Sequence, residues 1–73
     1  MNNKIIKSVT NRILRKMMEE EKQLKVLLST ETNDVPDKQL DGLFVRIEQL
    51  LTRISNDQNK IILLQSIREE NGS

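Results

Sequence analysis

The ionisable side chains of this 73-residue chain set the limits of its chemistry. It has no histidine and no cysteine. The usual general bases, thiol nucleophiles and soft metal ligands are therefore missing. Acids are present, and Glu19, Glu20 and Glu21 are the densest group of them. They read as a solvated helical run rather than a catalytic pair. A phosphate-cradling loop needs several glycines, and only Gly42 and Gly72 occur. The expectation is no enzyme, no catalytic residues, no cofactor and no metal. The cations offer a different chemistry. Lys4, Arg12, Arg15, Lys22 and Lys25 fall along one flank of the first helical stretch and could contact a phosphate backbone. A net charge of +1 supplies no global field for nucleic acid. Phe44 is the only aromatic residue, so there is no platform for stacking bases.

The elements that would carry these groups follow from apolar spacing. Leu40, Leu43, Phe44, Ile47, Leu50, Leu51 and Ile54 recur with the period of a helix that buries one face. An earlier stretch carries Ile6, Val9, Ile13, Met17, Leu24, Leu27 and Leu28 on one broad face. Glu20 projects into the middle of that face, where a leucine would be expected. It either snorkels from the edge or makes a polar contact that fixes register or partner choice. Polar turn formers follow, then Val35 and Pro36, with Asp34 as a possible cap and Asp37 favourable in the first turn. The chain thus reads as one all-α domain, residues 1–73, folded as an antiparallel helical hairpin. Helix one spans about 4–29, the loop about 30–35 and helix two about 36–70. Residues 55–59 are weak helix formers. The second helix either continues through them or breaks near Asn56, and continuation is the reading preferred. The tail from Glu69 to Ser73 should fray. Gly42 lies away from the stripe, as neutral surface or as a point of close approach. The heptad register is not sustained through helix one, which disfavours a long regular coiled coil.

A chain of this size buries only about 60% of its unfolded surface, so a lone hairpin is marginal. Without disulfide or metal, completion by oligomerisation or by a partner chain is the remaining staple. No signal peptide is visible, and no run nears the roughly 18 apolar residues of a membrane span. The expected location is the cytoplasm, with no membrane span and no small-molecule substrate.

Residues 60–67 give the partner site. Ile61 and Ile62 continue the hairpin stripe, whereas Leu63, Leu64 and Ile67 point elsewhere on a helical wheel. With the loop centred near Asn33, Leu28 falls near Leu40 and Ile6 near Ile61. Residues beyond Leu63 then have little of helix one to lie against. Ile61, Ile62, Leu63, Leu64 and Ile67 are the candidate partner-binding residues, an apolar overhang of the kind that marks interaction sites. Val26 and Val45 could extend the patch.

Three resemblances accompany these residues. Asp37-Lys38-Gln39-Leu40-Asp41 resembles the Ser-x-x-Leu-Asp signature of sporulation-linked aspartyl-phosphate phosphatases, which are also helical hairpins. The serine is Asp37 here and the preceding loop is shorter, so the match is attributed to chance and Asp41 is given no role. The plan of two helices, a short polar loop and an apolar C-terminal helix resembles the small co-chaperones of type III secretion needle subunits. That resemblance rests on architecture rather than on a motif. It implies a non-enzymatic chaperone or adaptor subunit binding a helical partner through apolar faces, here Leu63, Leu64 and Ile67. Dimeric hairpins of the Rop type supply the alternative, binding RNA or DNA through Lys4, Arg12, Arg15, Lys22 and Lys25.

Overall fold

A computed structural model describes residues 3–30 and 35–72, with side chains to Glu70. Its elements are α1 (Asn3–Leu28) and α2 (Asp37–Gly72), and no strand occurs among the described residues. Most of the expected loop, the Asp34 cap and Ser73 of the tail lie outside them. The helix ends are satisfied locally. Ser29 N donates to Lys25 O at 3.1 Å, and Thr30 N to Leu27 O at 3.2 Å. The Ser29 and Thr30 hydroxyls both donate to Val26 O, at 2.9 and 3.2 Å. These bonds occupy carbonyls that a helix C-terminus otherwise leaves open. At the start of α2 the Pro36 carbonyl accepts from Gln39 N at 2.8 Å and Leu40 N at 3.2 Å. Proline costs nothing there, and Asp37 places a negative charge in the first turn.

α2 runs without a break through residues 55–59. Their propensity is poor, but Ile54 and Asp57 are both buried there against α1. Packing of a seam outweighs a few tenths of a kcal/mol per residue of intrinsic preference. Gly42 sits inside α2, and an added Cβ would meet nothing within 4 Å. It is open surface and not a point of close approach.

Packing follows a 4–3 repeat on both helices. On α1 the buried or half-buried positions are Ile6, Thr10, Ile13, Met17, Glu20, Leu24 and Leu27. On α2 they include Leu40, Leu43, Ile47, Leu50, Ile54, Asp57, Ile61 and Leu64. This is the spacing of a coiled-coil seam. The seam thus continues through helix one, where the apolar residues alone do not show it. Thr10, Glu20 and Asp57 hold seam positions although they are polar. Phe44 and Leu51, placed in the stripe from the sequence, are instead 50% and 51% exposed.

The register also differs from expectation. Lys16 Nζ lies 3.6 Å from Asp57 Oδ1, whereas the long side chains of Arg46 and Gln23, hydrogen-bonded at 3.2 Å, span positions one or two residues from the expected register. In the expected register Lys16 would stand beside Leu51 or Thr52. The shift of about a turn and a half brings the end of α2 over the start of α1. Ile6 accordingly shares a groove with Gln65 and Arg68. α2 has 36 residues against 26 in α1, and the surplus lies at the loop end. The C-terminal overhang therefore does not exist. The pair is long and thin, 55 × 14 × 13 Å with a radius of gyration of 16.9 Å. A compact chain of this length would have a radius of about 11 Å. Its core is a single seam rather than a centre, and among the described residues the buried apolar side chains are Ile6, Met17, Leu50 and Ile54.

Candidate interaction surface

The seam contains one polar cluster. Glu20 is 6% and Asp57 2% exposed, facing each other across the helices. Glu20 Oε1 and Asp57 Oδ2 have no hydrogen-bond partner. The Glu20 carboxyl is pushed above the usual carboxylate range. Hydrogen bonding to Asp57, which favours the protonated acid, contributes most. Burial comes next, then the negative charge of Asp57, while Lys16 and Arg53 pull the other way. The two carboxyls are closed off from any substrate by the helices that hold them. A slip of one heptad would set Glu20 against Leu50 or Leu64, so the pair tolerates one register better than its neighbours.

The two flanks of the seam differ in chemistry. Successive helical residues turn by about 100°, so in an antiparallel pair the residue after each seam position points to one flank on both helices. The residue before each seam position points to the other. The preceding positions include Arg12, Lys16, Glu19 and Gln23 on α1, with Arg46, Gln49, Arg53, Asn56 and Lys60 on α2. Shared grooves confirm the grouping, since Arg12, Lys16, Asp57 and Lys60 line one, and Glu19, Gln23 and Arg46 another. This more polar flank is mostly basic in its charges, but it also carries the exposed side chains of Ile5, Val9, Val26 and Leu63. The following positions include Leu14, Met18 and Leu28 on α1, with Phe44 and Leu51 on α2. Those five side chains are 43–70% exposed and form an apolar strip down the middle of the other flank.

The partner-binding residues expected from the sequence fall in different places. Ile61, Leu64 and Ile67 are half-buried, the first two on the seam beside α1. Ile62 and Leu63 are 63% and 61% exposed and point to opposite flanks. The assignment of Leu64 and Ile67 to an overhang is corrected by the register, and the five do not form one patch. Lys4, Arg12, Arg15, Lys22 and Lys25 are all exposed on α1. They spread around its outer side, with Arg12 and Lys22 toward the polar flank. Val26 and Val45 are exposed, but Val26 lies on the polar flank and Val45 on the back of α2. The sequence reading missed the apolar flank itself. Its signal was available, because each of its residues directly follows a seam residue.

Among the described residues no group of three or more acidic side chains is placed to hold a metal ion. No described helix is long and apolar enough to cross a membrane. No family pattern, curated protein or solved structure was found to match the chain.

Proposed function

We propose that this chain is a non-enzymatic interaction module that binds a helical protein through its apolar flank. The observation that carries this reading is the exposure of Leu14, Met18, Leu28, Phe44 and Leu51 on one side of a hairpin whose own core is a single seam. Contiguous apolar surface rimmed by polar residues marks interaction sites, and a helix in the groove between two helices is its natural occupant. The finer reading is a small chaperone or adaptor subunit acting in the cytoplasm, of the kind the needle co-chaperones represent. Such a subunit works by covering apolar surface on its partner. A photoreactive benzoylphenylalanine at position 44 tests this in cells of the native host. Adducts to an apolar helix from position 44, and none from position 45 on the back of α2, are expected. Equal yields from both positions, or none from either, would refute it.

A further inference from the structure

We propose that the apolar flank is covered by a second copy of this chain, with α1 of each copy over α2 of the other in a four-helix bundle. This rests on reading that flank as an interaction surface. The first argument is charge along its edges. In the register fixed by Lys16 and Asp57, Lys25 stands level with Glu48 and Leu28 about one residue from Phe44. Lys25 follows a seam position on α1, and Asp41 and Glu48 follow seam positions on α2. A two-fold axis parallel to the helices lays α1 over α2 of the second copy at equal height. Leu28 then meets Phe44 of the second copy, and Lys25 meets Glu48 of the second copy. Symmetry makes each contact twice. Crossing α1 over α1 about the middle of the strip would set Glu21 against Glu21 of the second copy, a like-charge contact.

The second argument is area. Between Lys7 and Leu28 the flank is about 30 Å long and, across two packed helices, about 20 Å wide. Two copies would bury about 1,200 Å², above the roughly 1,000 Å² expected of a specific interface. The third is the thin core. Four buried apolar side chains among the described residues are few for a chain of this size, and pairing hairpins doubles the packed layers in a closed bundle.

The test is sedimentation equilibrium of the full chain over a range of concentrations, with helicity followed by circular dichroism. The wild type is expected at twice its 8.5 kDa mass. Leu51→Glu should weaken the dimer by about tenfold or more, and Val45→Glu should leave it intact. Lys25→Glu and Glu48→Lys should each weaken it, and the double variant should recover to within about threefold of wild type. The charge swap keeps the test decisive should Leu51→Glu fail to fold. A helical wild-type monomer at all concentrations overturns the proposal, as does a dimer indifferent to Leu51→Glu or unrescued by the swap. Crosslinking from position 44 separates the two readings. A monomer with adducts to another helical protein removes the second copy and keeps the interaction surface. A monomer without adducts removes both.

Discussion

Glu20→Leu is the perturbation that most directly probes the seam. Glu20 is 94% covered, faces Asp57 and leaves Oε1 without a hydrogen-bond partner. Holding a carboxylate there costs free energy, because its water is stripped and its nearest neighbour carries the same charge. Leucine restores the apolar run between Met17 and Leu24. Replacing a buried ionic group by a well-packed apolar one stabilises by about 1–4 kcal/mol in other proteins. The seam is thin and Lys16 and Arg53 partly offset the charge, so about 1–2 kcal/mol is expected near neutral pH. A domain of this size gains about 4–8 °C in Tm per kcal/mol, so the variant should melt about 5–15 °C higher. The pH dependence carries the sign. Glu20 has a raised folded value, so its protonated form adds stability below the ordinary glutamate range, and that stability is lost as pH rises through the raised value. The advantage of Glu20→Leu should therefore shrink between about pH 7 and about pH 4. Glu20→Gln, which keeps a donor toward Asp57, should flatten the same profile. Urea unfolding followed by circular dichroism at both pH values measures this. A Glu20→Leu protein less stable than wild type at neutral pH would refute the reasoning. It would mean that the carboxylate is held as a favourable ion beside Lys16 and Arg53.

Three further substitutions separate seam from surface. Leu50 is fully buried and Leu51 is half exposed, so Leu50→Ala should cost about 2–3 kcal/mol and Leu51→Ala under about 1 kcal/mol in urea unfolding. Equal costs would contradict the seam assignment. Gly42→Ala meets open space inside α2 and should raise stability by about 0.5–1 kcal/mol, read as an upward shift of the urea midpoint. Leu64→Asp places a charge on the seam and should lower both helicity and Tm. If helicity is kept while only association is lost, Leu64 belongs to a partner surface as the sequence alone implied.

The sequence determined the elements. Apolar residues at helical spacing on both sides of Pro36, with turn formers before it, point to two helices folded back on each other, an arrangement that lets each stripe bury the other within one chain. The sequence also contains no histidine and no cysteine. What tertiary structure decided was register and, through it, direction. Sequence periodicity says that a stripe exists, but not where one helix sits along the other. A shift of about a turn and a half moved Leu64 from overhang to seam. Polar seam positions were illegible for a related reason. Glu20 stands out on the apolar face in the sequence, but Asp57 looks like a surface residue, and only the opposite helix makes the two a buried pair. Phe44 and Leu51 show the converse. They lie within the width of an apolar stripe, yet one helix offers its partner a contact only about one residue wide per turn. The residue after each contact is left outside, where it faces another chain or water.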